Sequence, residues 1–439
     1  MRTRWLRKAT YQHRRNRHAR RQEAGPPARD LQAPPDAGTL QPPDACTYPL
    51  IESIVREPRM PNATAAWRRF TSLMILLAMT MTATAGAAEP PGPHSRAEAT
   101  RTIADLRRIV TERGVERVEK VRIGGIEQWV AIRGNDDRNP ILLMLHGGPG
   151  WVSMPTSWYF QRGWEEYFTV VQWDQRGAGK TYTENDPAVI APTMTHERMI
   201  ADTEEMVAWL RKEFGKDRIF VLGNSWGSYL GIELARRRPE WLHAYIGMGQ
   251  ATNVPESERR GWAWTMNQAR RDGNAEAIAD LESIAPYAQG DSAVPLSSLL
   301  KQRKWLNHYG GMVHNRTGGE AEAAAVSLSP EYTDADLAKV WEANAFSMDK
   351  LLGDLLTLDL SHVRRLDTPL ILFLGRHDYN VSSTAAAEWF GLVQAPEKKL
   401  VWFEHSAHEV MIEEPGKMLL SLVHHALPIA ERAGDVPPP

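Results

Sequence analysis

One stretch of this 439-residue chain, RIFVLGNSWGSYLGIELARRR (218–238), constrains the fold more than any other. It begins with a run of β-branched and aromatic residues, passes through the pattern G-x-S-x-G at 223–227, and continues as a helix that Pro239 stops. This pattern between a strand and a helix predicts a sharp, strained turn, because its two glycines let strand and helix approach closely. We expect the turn to project the Ser225 hydroxyl from the carboxyl edge of a sheet.

Short β-branched or aromatic runs alternate with longer amphipathic stretches, which is typical of a mostly parallel, doubly wound α/β sheet. Strand patterns stop between about 250 and 367, where the sequence becomes helical and rich in Trp, Ala and Glu. We therefore predict an α/β core in two parts, 89–249 and 368–439, with a helical cap at 250–367. The predicted strands are 127–134, 141–146, 168–174, 218–223, 244–249, 370–375 and 400–404.

The composition of the residues before this core predicts two leader segments. Residues 1–59 are rich in Arg and then in Pro, and we expect them to be disordered. Residues 60–88 have the form of a secretory signal peptide, with two arginines, an apolar run at 73–81 and small residues after it. Because a signal peptide stands at an N-terminus, Met60 is the predicted true start and 1–59 a misassigned extension. The sequence therefore predicts that the protein is periplasmic or secreted.

Stable membrane insertion after cleavage is not expected. An uncleaved anchor is the alternative, and it is disfavoured because the apolar run is shorter than the ~20 residues of a spanning helix. The only cysteine, Cys46, precedes the signal segment, so the mature chain would have no thiol nucleophile and no disulfide. The first 88 residues carry a net charge of +8, which leaves −10 on the remainder and argues against a nucleic-acid partner.

A serine hydroxyl needs a base to take its proton and donors to stabilise the oxyanion that forms. The backbone N–H of Trp226, the residue after the nucleophile, is the first predicted donor. The second is the N–H of Gly148 in HGGPG (146–150), where glycines let the main chain approach a substrate oxygen. His146 ends the preceding strand, and we interpret it as a structural histidine rather than the base.

An acid is expected after the serine and before the histidine in the chain. Asp378 fits, because it follows a predicted strand and so lies at the same sheet edge as Ser225. Asp367 precedes that strand and is disfavoured. The stretch WDQRGAGKTY (173–182) is similar to a phosphate-binding loop, but Asp174 stands where that loop requires a glycine, so we predict instead a loop lining the floor of the site.

Two histidines, His405 and His408, are candidate bases in FEHSAHEV (403–410). With the flanking Glu404 and Glu409 they also raise the possibility of a metal site. Zinc proteases place their histidines four residues apart on a helix, whereas these are three apart in a loop. No metal and no cofactor is therefore predicted.

The motifs HGGPG, DQRGAGKT (174–181) and GNSWGS (223–228), then GRHD (375–378) and HSAHE (405–409), resemble the α/β-hydrolase family of proline iminopeptidases over roughly 120–427. The resemblance implies the α/β-hydrolase fold. It implies Ser225 as nucleophile, Asp378 as acid, and Gly148 and Trp226 as oxyanion donors. The spacing of His408 from Pro415 matches that of the family's base, which favours His408 over His405.

Three departures from the family pattern affect the substrate. Asn224 replaces the glycine usual before the nucleophile. The sequence IGMGQ (246–250) replaces the usual strand end leading to the cap. The family holds the free amine of its substrate with acidic side chains of the cap, and neither Glu256, Glu258, Glu282 nor any other acid can be matched to those positions from the sequence.

The leading hypothesis is an exported serine hydrolase that forms an acyl-enzyme and releases an N-terminal proline or a similar residue from peptides. The alternative is an esterase or another amidase with the same triad, so the partner is a small peptide, amide or ester. Dehalogenase and epoxide hydrolase chemistry is disfavoured, because those relatives need a carboxylate at Ser225. A non-catalytic binding protein of this fold is the remote alternative.

Overall fold

The computed structural model describes residues 92–290, 293–317 and 319–438. The predictions for the leader 1–59 and the signal peptide 60–88 lie outside these residues. Across the part of the chain that is described, no helix is both long and apolar enough to span a bilayer.

An eight-stranded sheet with the order β1-β2-β4-β3-β5-β6-β7-β8 forms the core. Pairing is antiparallel at β1/β2 and β2/β4 and parallel across the rest of the sheet. This confirms the predicted mostly parallel α/β fold. The strands are β1 (Val115–Ile123), β2 (Ile126–Gly134), β3 (Ile141–Leu145), β4 (Thr169–Asp174), β5 (Ile219–Asn224), β6 (Leu242–Met248), β7 (Leu370–Gly375) and β8 (Lys398–Phe403).

Strand β1 was missing from the seven predicted strands. Its sequence, VERVEKVRI, has apolar residues at 115, 118, 121 and 123 and therefore lacks the strict alternation of a half-buried strand. Every second residue, from Glu116 to Arg122, is exposed at the sheet edge. The interior strands β3, β4, β5, β6 and β7 are buried throughout. Their continuous apolar runs are typical of parallel strands covered on both faces.

Fifteen helices are assigned among the described residues. They are α1 (Arg96–Leu106), α2 (Ser157–Phe160), α3 (Gly179–Glu184), α4 (Pro187–Ile190), α5 (His196–Glu213), α6 (Trp226–Arg237), α7 (Val254–Asp272), α8 (Ala275–Glu282), α9 (Leu296–His308), α10 (Glu320–Ser327), α11 (Asp334–Leu355), α12 (Ser383–Leu392), α13 (Val410–Glu413), α14 (Pro415–His425) and α15 (Leu427–Arg432). Short 3-10 turns lie at Met154–Thr156, Trp164–Glu166, Ala191–Thr193 and Pro239–Trp241.

Helices cover both faces of the sheet. Helices α5, α6 and α12 share one apolar cluster with the strands, and α14 and α15 share the cluster on the other face. Helices α7 to α11 all lie between β6 and β7 in the chain. We call these five helices and their connections the cap. Since β6 and β7 are paired neighbours, the cap leaves and re-enters the sheet at adjacent positions.

Candidate active site

Ser225 occupies the sharp turn between β5 and α6. Its backbone has φ 53° and ψ −117°, a conformation that residues with a side chain rarely adopt, and its N–H donates to Met248 O at 2.9 Å. A side chain on Gly223 would come within 2.4 Å of Gly227 O, and one on Gly227 within 2.1 Å of Leu145 O. Only glycine fits at these two positions, and α6 therefore begins directly against the carboxyl edge of the sheet.

His408 and Asp378 form a buried pair. Nδ1 of His408 lies 2.8 Å from Oδ2 of Asp378, and the two side chains are 3% and 1% exposed. The other carboxylate oxygen, Oδ1, accepts the backbone N–H groups of Asn380 at 3.0 Å and Val381 at 2.9 Å. These two donors hold the carboxylate toward the imidazole. With the Nδ1 proton donated to Asp378, Nε2 is the nitrogen that can accept another proton.

The imidazole of His408 lies close to the chain that supports Ser225. Its Cε1 atom is 2.7 Å from the position that a side chain on Gly249 would take. Gly249 directly follows Met248, the residue that accepts the Ser225 N–H. A side chain on Gly147 would lie 3.3 Å from Ser225 Cβ. The structure thus brings the HGGPG loop, Ser225 and His408 together at one edge of the sheet.

The backbone of the last loop is tied to the cap as well as to the core. The N–H of His408 donates to Met312 O of the cap at 2.9 Å. Ala407 N donates to the Glu413 carboxylate at 2.9 Å, and Ser406 Oγ donates to Glu414 Oε2 at 2.7 Å. Burial raises the pKa of Glu413 to about 7. The position of His408 therefore depends on contacts of its loop with the cap and with the α/β core.

His146 joins the HGGPG loop to the neighbouring DQRG loop, residues 174–177. Its Nδ1 lies 2.9 Å from Gly147 O and its Nε2 accepts the Gln175 N–H at 3.3 Å. The side chain of Gln175 in turn accepts the Trp226 Nε1–H at 3.1 Å. Burial lowers the pKa of His146 to about 4, so the ring stays neutral and bonds on both sides. The two predicted oxyanion donors, Gly148 and Trp226, belong to the segments that these bonds connect.

The DQRG loop connects the core to the cap. Asp174 accepts the Lys180 N–H at 2.8 Å and the Tyr332 hydroxyl of the cap. Burial raises the pKa of Asp174 to about 7. Arg176 pairs with Asp202 at 2.7 Å. The loop therefore bonds to the cap through Asp174 and to helix α5 through Arg176.

The polar residues of FEHSAHEV do not converge on one point. Glu404 pairs with Arg376 at 2.8 Å, His408 pairs with Asp378, and His405 is exposed. Within 92–290, 293–317 and 319–438, no cluster of three or more His, Cys, Asp or Glu side chains has a geometry that could hold a metal ion. The disfavoured acid Asp367 is exposed and pairs with Arg365.

Two acidic residues near His408 were not predicted as parts of the site. Glu409, weighed only as a metal ligand, is half-buried directly after His408. Burial raises its pKa, and the Glu322 carboxylate of α10 adds to this effect while His408 opposes it. Oε1 of Glu322 pairs with Arg316 at 2.6 Å. Its Oε2 is buried and has no hydrogen-bond partner among the described residues. Glu322 had no sequence signal, because only the fold of the cap brings it near Glu409.

The three cap glutamates considered from the sequence are all engaged by arginines. Each lies within 4 Å of at least one guanidinium nitrogen. The pairs are Glu256 with Arg259 and Arg260, Glu258 with Arg303, and Glu282 with Arg270. Glu258 also accepts the Tyr287 hydroxyl at 2.8 Å.

A family model described as the alpha/beta hydrolase fold matches residues 140–415, more than half of the chain. The chain belongs to the α/β-hydrolase family. It is 34% identical over 307 residues to the proline iminopeptidase of Clostridioides difficile (strain 630), covering 67% of this chain and 92% of that protein. It is 27% identical over 321 residues to the probable aminopeptidase YbaC of Bacillus subtilis (strain 168), covering 72% and 98%.

Among solved structures, a proline iminopeptidase of Mycobacterium smegmatis matches with a TM-score of 0.52 and 18% identity, covering 72% of this chain and all of that one. This match supports the fold. The family model and the sequence relatives confirm that this α/β-hydrolase is proline iminopeptidase-like and an enzyme.

The buried pair predicts the titration of His408. Burial opposes protonation of the ring, but attraction and hydrogen bonding to the Asp378 carboxylate outweigh it, so the pKa of His408 is raised above its ordinary value of 6.5. Asp378→Asn removes the negative charge that stabilises the imidazolium, and the pKa should therefore fall. NMR titration of protein with labelled histidines measures both values, and the resonance missing in His408→Gln identifies the ring. A pKa below 6.5, or one unchanged by Asp378→Asn, would contradict this account.

Proposed function

We propose that this α/β-hydrolase is a serine aminopeptidase that releases an N-terminal proline or a similar residue from peptides through an acyl-enzyme. The observation that carries the proposal is the buried His408–Asp378 pair, with 2.8 Å between Nδ1 and Oδ2, beside the strained turn of Ser225. A nucleophile, a base and an acid in this arrangement are the components of a serine hydrolase triad.

The proposed reaction has two stages, acylation of Ser225 and hydrolysis of the acyl-enzyme. Ser225 Oγ attacks the substrate carbonyl while His408 Nε2 takes the hydroxyl proton, and Asp378 stabilises the imidazolium. The N–H groups of Gly148 and Trp226 donate to the oxyanion. His408 returns the proton to the leaving amine as the carbon–nitrogen bond breaks. Water then attacks the acyl-enzyme with His408 again as base, which frees the acid and restores Ser225.

The choice of an amine substrate rests on the acidic residues near His408. The negative charge of Glu322 contributes to the raised pKa of Glu409, and Glu322 Oε2 lacks a hydrogen-bond partner among the described residues. A buried carboxylate without a partner is unfavourable unless a cation or proton compensates it. The ammonium group of a peptide N-terminus provides such a cation. Glu256, Glu258 and Glu282 are paired with arginines. Among the described residues, Glu322 pairs with Arg316 through Oε1 only, so we assign amine recognition to Glu409 and to the free Oε2 of Glu322.

The triad assignment is tested by three substitutions. Ser225→Ala and His408→Ala should each lower kcat by roughly 10⁴-fold or more, and Ser225→Ala should abolish labelling by a fluorophosphonate probe. His405→Ala is the matched control, because His405 is the exposed neighbour in the same loop, and it should retain most activity. Labelling that survives Ser225→Ala contradicts the proposed nucleophile. Loss of turnover in His405→Ala but not in His408→Ala reverses the assignment of the base.

The substrate assignment is tested by comparing amide and ester turnover. Glu409→Gln should raise KM for proline p-nitroanilide about tenfold, since a charge-assisted hydrogen bond to the ammonium is lost. Turnover of p-nitrophenyl acetate, which has no amine, should change little. Glu404→Gln is the control, because Glu404 is exposed and paired with Arg376. Rapid ester hydrolysis without any aminopeptidase activity in the wild type favours the esterase alternative.

Export to the periplasm or the medium is part of the proposal, and it rests on the sequence of residues 60–88. We expect the native mature protein to begin shortly after this segment. N-terminal sequencing of protein isolated from its source organism tests this expectation. A mature chain that retains residues before Met60 contradicts both the cleavage and the predicted start.

A further inference from the structure

The long cap helix α11 lies along the core next to the HGGPG loop. Near its start, Asp336 pairs with Lys180 at 2.7 Å. Further along, Glu342 accepts the Tyr182 hydroxyl at 2.8 Å. Five residues beyond, Ser347 Oγ donates to Gly177 O of the DQRG loop at 2.8 Å. These contacts reach from the first turn of α11 to past its middle, so the core fixes the helix axis.

Asn344 is the residue of α11 that bonds the HGGPG loop itself. Its side-chain Nδ2 donates to Pro149 O at 3.0 Å. The adjacent Gly150 is so close to α11 that a side chain there would lie 2.6 Å from Ser347 Cβ and 3.3 Å from Asn344 Cα. The helix therefore packs directly on the loop, with one hydrogen bond to its main chain.

We propose that Asn344 is a positioning residue for the oxyanion hole: its bond to Pro149 O, at a helix-to-loop contact that admits only Gly150, holds the Gly148 N–H where the oxyanion forms. This inference rests on the proposed serine hydrolase function. Asn344 is not a catalytic residue, since it bonds the loop and not the reacting atoms.

The loop has few other main-chain anchors. It folds back on itself through the Trp151 N–H, which donates to Gly147 O at 3.1 Å, and His146 bonds Gly147 O at its base. Both contacts hold the Gly147 end of the loop, whereas Asn344 holds the Pro149 end. Gly148 lies between the two anchored carbonyls. An oxyanion donor must sit within tenths of an ångström of its working position, so loss of one anchor weakens donation without removing the donor.

The proposal predicts a defect in the chemical step rather than in substrate binding. The oxyanion exists only in the transition state and the tetrahedral intermediate, so its donors affect kcat more than KM. Asn344→Leu, which removes the donor at similar volume, should lower kcat and the rate of fluorophosphonate labelling by about tenfold. KM should change by less than about twofold. Asn344→Gln keeps an amide donor and should recover part of the loss.

Ser347→Ala is the matched control. It also removes one hydrogen bond from α11 to a core carbonyl, but that carbonyl belongs to Gly177 and not to the HGGPG loop. It should leave kcat and the labelling rate near the wild-type values. Thermal melting of each variant shows whether the cap and core remain folded, and Asn344→Asp, which retains the shape but loses the donor, provides a second test if Asn344→Leu is unstable.

The possible results separate the positioning role of Asn344 from a general effect of cap docking, from substrate binding and from failure of the proposed function. A wild-type labelling rate in both Asn344→Leu and Asn344→Asp overturns the positioning role while leaving the serine hydrolase proposal intact. An equal loss in Ser347→Ala shows that cap docking in general, and not the bond to Pro149, sets the rate. An increase in KM alone would make Asn344 a substrate contact. A wild-type protein that neither turns over nor labels contradicts the proposed function itself, and the inference with it.

Discussion

The close approach of α6 to strands β3 and β5 is the constraint on which the site depends. It requires that Gly223 and Gly227 have no side chain, because either Cβ would meet a backbone oxygen within 2.4 Å. Only at this distance can the chain reverse from strand to helix in a single residue, Ser225. The same reversal directs the first N–H groups of α6 toward the carboxyl edge of the sheet, where a developing negative charge is favoured.

The sequence was sufficient for features that depend on local patterns. The strand, turn and helix at 218–238 were predictable because the apolar runs and the glycine spacing that indicate them lie within about twenty residues. The parallel strands β3 to β7 were predictable for the same reason, since each is a short apolar run buried on both faces. Strand β1 was missed because its apolar residues, at 115, 118, 121 and 123, do not alternate strictly, although the Gly124-Gly125 turn after it is a local signal of a hairpin.

Contacts made across the cap were not predictable. Asn344 and Pro149 are separated by 195 residues, and no pattern within α11 marks Asn344 as different from its neighbours. Glu322 likewise gains its relation to Glu409 only when α10 docks near the last loop. Asp378 could be selected as a candidate because it follows a strand, and His408 because its spacing from Pro415 matches that of the family's base. Their separation of 2.8 Å required the packing of β7 beside β8.

The insertion of the cap between paired strands β6 and β7 also bears on how the chain folds. These neighbours in the sheet are joined through the whole of α7 to α11, so their pairing closes a loop of about 120 residues, and the entropy of closing a loop grows slowly with its length. Helices that form within the loop shorten the flexible chain that must be closed. Since Asp378 and His408 both follow this closure in sequence, the pair that we propose as acid and base can form only when the final segment of the chain is in place, and a chain folded without that segment would lack the proposed base.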